Sequence, residues 1–79
     1  MTSAEENTAR LASQAAIGAR IRELREARDI RPGELAALAG CSKGHISNIE
    51  RGRSRVTDPI RVALAAALDV PVADLEAAS

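Results

Sequence analysis

Residues 32–52 read PGELAALAGCSKGHISNIERG, two short apolar-periodic runs separated by a glycine, and the reading of this stretch decides the fold. Pro32 suits the first position of a helix, where its missing N–H has no partner to lose. Leu35, Ala36 and Leu38 make the apolar face of that first run, and Gly40 stops it as a residue that tolerates positive φ. Ser42 is a good N-cap for the second run, which extends to about Glu50 with Ile46 and Ile49 turned inward, and Gly52 ends it. Two short helices joined at Gly40 cross steeply only where their contact is small. Ala36 meets that need, and Ile46 and Ile49 pin the second helix to the first.

This order of small, glycine, apolar and apolar residues predicts a helix-turn-helix. Upstream, Ile17, Ile21, Leu24 and Arg28 fall on one helical stripe with Ala27 beside it; the stripe ends near Asp29, and Ile30 points inward. Ser3-Ala4-Glu5-Glu6 has capping-box spacing and would start that helix early. Downstream, Arg53 to Thr57 is a polar, basic connection. Thr57 or Asp58 then caps a helix with Pro59 at its first position and Ile60, Ala63, Leu64, Ala67 and Leu68 on its apolar face. Val70-Pro71 breaks it, and Pro71 to about Ala77 makes a short last helix that contributes Val72 and Leu75. The expectation is an all-α, compact five-helix bundle, with residues 1–10 a flexible extension and residues 11–79 one domain.

Composition agrees. The 79 residues contain no Phe, Tyr or Trp, so Leu, Ile, Val and Ala must build the core, which suits close helix packing and poorly suits a ligand pocket. A domain this short buries only roughly 60% of its unfolded surface. The single cysteine, Cys41, rules out an internal disulfide and is compatible with a reducing compartment. No apolar run approaches a membrane span, and the polar N-terminus is unlike a signal peptide, so the expectation is a cytoplasmic protein without membrane contact. Net charge is zero, but it is distributed unevenly. Residues 41–61 carry Lys43, Arg51, Arg53, Arg55 and Arg61 against Glu50 and Asp58, whereas residues 62–79 carry only Asp69, Asp74 and Glu76. A basic middle between acidic ends is an oriented charge, and orientation outweighs the sum when one face must meet phosphate.

In a helix-turn-helix the second helix lies in the major groove. Along it, Lys43, Gly44, His45, Ser47 and Asn48 are left outside the core, all of them short or polar and none acidic. Lys43 can donate to guanine O6 or N7, Asn48 can bond adenine in bidentate fashion, and Ser47 can take a base or a phosphate. Gly44 is either a site of close approach to a base or a plain exposed glycine. His45 has three readings: one of two metal ligands with Cys41, a donor to phosphate or guanine, or a bystander. Two ligands make a poor metal site, so no metal and no cofactor are expected.

The stretches Ile17-Gly18-Ala19-Arg20-Ile21-Arg22-Glu23-Leu24-Arg25, Leu35-Ala36, Gly40-Cys41-Ser42 and Ile46 to Gly52 together resemble the phage-repressor and Cro-like helix-turn-helix family, and Leu64 to Val70 looks like its fourth-helix ending. The resemblance covers residues 17 to about 76. It implies base contacts from Lys43, Gly44 and Asn48, with His45 and Ser47 at their flanks. It implies phosphate contacts from Arg53, Ser54 and Arg55, joined by Arg51, and free N–H groups near Gly33 and Ser42 add capacity for an anion. It also implies that Arg25 and Glu50 form an internal ion pair. The chain departs from the family pattern where Arg31 and Pro32 replace Ser-Gln at the start of the second helix, leaving Arg31 to supply the phosphate contact by charge alone. Asp29 stands in place of a turn glycine, and Asp58 and Arg61 occupy places that are often apolar.

One such unit reads few base pairs, so the leading expectation is a homodimeric regulator on an inverted repeat of double-stranded DNA, with Val72, Leu75 and parts of the fourth helix as candidates for its interface. The competing one is a protein-interaction module, an antitoxin or adaptor, whose partner docks on the N-terminal extension or the C-terminal helix. No catalytic set is visible, and an enzyme is not expected.

Overall fold

Each helix begins and ends where local chemistry directs it, and the computed structural model describes residues 3–76, with side chains from residue 14 onward. The helices are α1 (Ser3–Ala27), α2 (Pro32–Ala39), α3 (Lys43–Glu50), α4 (Asp58–Leu68) and α5 (Val72–Glu76), and no strand occurs among the described residues. Residues 3–16 therefore lengthen the first helix. The flexibility expected of residues 1–10 concerns residues whose side chains lie outside those described.

The first four helices end in the same way. After each, the N–H two residues beyond the cap reaches back five residues: Ile30 to the Arg25 carbonyl, Cys41 to Ala36, Arg53 to Asn48 and Val70 to Ala65, at 2.9–3.1 Å. The residue between is left-handed in every case: Asp29, Gly40, Gly52 and Asp69, with φ of 54°, 75°, 71° and 57°. These are Schellman motifs, which satisfy the last carbonyls of a helix and turn the chain sharply. In three of them the residue after the left-handed position (Ile30, Cys41, Val70) packs against the core. In the fourth it is Arg53, which is exposed.

The core is aliphatic, as the composition demands. Ile21 of α1, Leu35 of α2, Ile46 and Ile49 of α3, Leu64 and Leu68 of α4, and Leu75 of α5 are fully buried. Each contributes about 1.5–3 kcal/mol of transfer free energy. Four expectations change. Leu38 is 64% exposed and does not belong to the inner face of α2. Val56, in the connection expected to be polar and basic, is buried in the core, and so is Ala65. Pro59 is the second residue of α4, behind Asp58, with Thr57 as the N-cap. Arg28, on the apolar stripe by spacing, is exposed and donates to the Leu24 carbonyl.

Gly18 decides how closely α1 and α3 approach. A Cβ placed there would lie 2.1 Å from the Ile49 carbonyl oxygen, so the two backbones touch. Further along, Arg20 donates to the Asp74 carbonyl at 3.0 Å, and Arg61 pairs with Glu76 at 2.8 Å and with Asp58 at 3.6 Å. These contacts fasten α5 to α1 and α4. Arg61 thus links α4 to α5 where an apolar residue would act by packing, and its pair with the exposed Asp58 lies within α4.

Candidate nucleic-acid interface

α3 starts cleanly because the Ser42 Oγ accepts the His45 N–H at 3.1 Å, satisfying one of the free donors of its first turn. Its buried edge is Ile46 and Ile49. On the opposite side Lys43, Gly44 and Asn48 are exposed, with His45 and Ser47 half-buried beside them. Arg51, Arg53 and Arg55 continue this exposed surface, while Ser54 is half-buried and its N–H donates to the Asn48 carbonyl at 3.3 Å. The Lys43 side chain runs past the start of α2: a Cβ on Gly33 would stand 4.0 Å from its Cδ. Arg31, the exposed N-cap of α2, lies at that same end, and its N–H donates to Glu34 Oε1 at 3.1 Å. The first turns of α2 and α3 therefore lie side by side, and the exposed Arg51, Arg53 and Arg55 follow at the end of α3 and in the connection beyond it.

The chemistry of this surface is that of an anion acceptor with a readable centre. Free N–H groups at two helix starts favour negative charge. Three arginines flank a face whose exposed groups are one ammonium, one carboxamide and a stretch of bare backbone at Gly44, where the nearest atom to an added Cβ is the Ser42 Oγ at 4.0 Å. Nothing on this face of α3 is acidic, because its one carboxylate, Glu50, is drawn inward.

That inward pull is the Arg25–Glu50 pair. Arg25 Nε donates to Glu50 Oε2 at 2.7 Å and Nη2 donates to Oε1 at 3.0 Å, a bidentate geometry. Nη1 donates to the Ile30 carbonyl at 2.9 Å. The side chains are only 11% and 8% exposed. The hydrogen bonds to Glu50 push the Arg25 guanidinium above its already high range, so it stays charged. One guanidinium thus ties α1, the turn after it, and the end of α3.

Cys41 is half-buried against the core, and burial pushes its thiol up, which lowers the thiolate fraction and suits a space-filling role. No group of three or more metal-ligating residues stands together among the described residues. Two residues that sequence reasoning left unassigned matter here. Gly18 sets the α1–α3 contact, and its signal was a glycine inside a helix. Gln14 donates through Nε2 to the Gly52 carbonyl at 2.9 Å, and its signal was a polar residue three positions before Ile17 on the buried stripe.

Among the described residues, the fold and this surface define five helices built around a helix-turn-helix. A family model described as a helix-turn-helix domain matches residues 16–78, and the chain belongs to that family. It is 41% identical over 63 residues to RghRB of Bacillus subtilis (strain 168), named as an uncharacterized HTH-type transcriptional regulator; the match covers 78% of this chain and 45% of that protein. This chain therefore spans less than half the length of that relative. Among solved structures it is similar to the restriction-modification controller protein C.AhdI from Aeromonas hydrophila, with 34% identity, a TM-score of 0.79, and coverage of 81% of this chain and 97% of the other. It is also similar to the clp gene regulator ClgR from C. glutamicum, with 34% identity, a TM-score of 0.75, and coverage of 78% and 80%. All three bear the names of regulators or controllers, and no helix among the described residues is long and apolar enough to cross a membrane.

Proposed function

We propose that this chain is a sequence-specific, double-stranded-DNA-binding transcriptional regulator that acts in the cytoplasm as a homodimer on an inverted repeat. The observation that carries the reading is the exposed, acid-free face of α3, bearing Lys43, Gly44 and Asn48 and continued by Arg51, Arg53 and Arg55. A helix with such a face, braced by a preceding short helix, fits the major groove. Lys43 and Asn48 supply base contacts, with His45 and Ser47 beside them, and Gly44 lets the backbone come close to a base. Arg31, Arg51, Arg53, Ser54, Arg55 and the N–H groups near Ser42 hold phosphates. Residues 11–79 act as one domain. A dimer follows from arithmetic, since one unit reads too few base pairs to discriminate well. Leu75 is fully buried and is not available to the dimer contact.

Two substitutions separate the roles. Asn48→Ala is expected to lose about 1–3 kcal/mol of discrimination at one base position and leave non-specific binding nearly intact. Binding isotherms on duplexes varied at each position measure this, and a loss spread evenly over all sequences would remove Asn48 from base reading. Arg53→Ala with Arg55→Ala is expected to weaken binding to every duplex and make the slope of log affinity against log salt shallower by roughly 2. A slope equal to that of the parent protein would remove both from the phosphate contacts.

The reading as a whole is tested by selecting duplexes from a random pool with the purified protein. An enriched inverted repeat is the expected result. No enrichment from folded protein at low salt would move the function to a protein-interaction module.

A further inference from the structure

We infer that Gln14 is a positioning residue for DNA binding: by clamping Gly52 it holds the turn that carries Arg53 and Arg55 in register with α3. The inference rests on the DNA-binding reading above. It begins from the four helix ends. Three caps are held down by a residue that packs on the core immediately after the left-handed position, and the fourth, after α3, has the exposed Arg53 there instead. A Schellman turn commonly relies on that apolar contact. With a charged residue in its place, the turn after α3 needs another anchor.

α1 supplies it. Ala15 lies against Gly52, where an added Cβ would meet the Ala15 Cα at 3.1 Å and its Cβ at 3.3 Å. Beside it, Gln14 Nε2 donates to the Gly52 carbonyl at 2.9 Å across 38 residues of sequence. The other polar groups of the turn are satisfied from within: Gly52 N–H by the Ile49 carbonyl at 3.0 Å, and the Arg53 and Ser54 N–H groups by the Asn48 carbonyl at 2.9 and 3.3 Å. The Gly52 carbonyl is thus the point where the turn is held from outside. Asn48 is held through its backbone and remains free to present its side chain outward, so the base-reading residue and the two arginines keep one geometry. The part of α1 ahead of Ile17 belongs to the DNA-binding unit.

The test uses the full chain with Gln14→Met, which keeps length and helix propensity but cannot donate, and Gln14→Ala beside it. Amide hydrogen exchange is followed without DNA, and affinity is measured on the selected duplex, its single-base variants and an unrelated duplex. The expected result is faster exchange at the Arg53 and Ser54 N–H groups, unchanged protection at Ile46 and Ile49, and a loss of affinity of roughly two- to tenfold on every duplex. Base preference should stay as in the parent protein. Parent-like exchange and affinity in Gln14→Met overturn the inference, as does a loss confined to one base position or a loss of protection throughout the core. If the parent protein itself selects no duplex, the DNA-binding reading fails and this inference with it, an outcome separate from a variant that matches a DNA-binding parent.

Discussion

Gly18→Ala is expected to destabilise the protein by roughly 3 kcal/mol or more, the upper part of the range for overpacking. The added methyl would stand 2.1 Å from the Ile49 carbonyl oxygen and 3.1 Å from that of Glu50. Those atoms are backbone, so relief requires α3 to move as a body, away from α1 and from the pocket that Ile46 and Ile49 fill. A chain of this length has on the order of 4–12 kcal/mol of total stability, so the substitution removes a large share of it. Urea unfolding followed by circular dichroism measures the change. Gly44→Ala is the control: open space surrounds that position, and replacing a helical glycine there is expected to gain up to about 1 kcal/mol. If both variants unfolded at the parent midpoint, the close approach of α1 and α3 would not hold.

Glu50→Ala is expected to cost about 3–5 kcal/mol, because it leaves the Arg25 guanidinium buried without its bidentate partner. Arg25→Met should cost a similar amount by stranding the carboxylate, and it also frees the Ile30 carbonyl. The double variant Arg25→Met with Glu50→Met is expected to be more stable than either single one, since removing both charges also removes the desolvation penalty. A double-mutant cycle from denaturant midpoints gives the coupling. Strict additivity would reduce the pair to two independent surface charges. The same pair sets the direction of α3, so single variants that remain folded should also bind duplex DNA more weakly.

Much of this architecture is legible without coordinates, for reasons that are local. Pro32, Gly40, Ser42 and Gly52 place α2 and α3 almost to the residue, because capping and stopping a helix depend on groups within five positions. The outward residues of α3 follow from the same periodicity that turns Ile46 and Ile49 inward. The errors have a common origin. Leu38 and Val56 have ordinary apolar side chains, and only the approach of a neighbouring element decides which one is covered. Asp69 takes a left-handed cap that a glycine would take more easily, and nothing adjacent in the chain announces it.

By itself the sequence determines where α2 and α3 lie, how each is stopped, and which side of α3 is left polar and free of acid. These follow from hydrogen bonds and periodicities that close over one or two turns. The tertiary structure alone decides that Gly18 is a contact between backbones and that Gln14 holds Gly52. Those partners are 31 positions apart in Gly18–Ile49 and 38 apart in Gln14–Gly52. Interactions at such separations depend on the packing of whole helices, which no local pattern encodes.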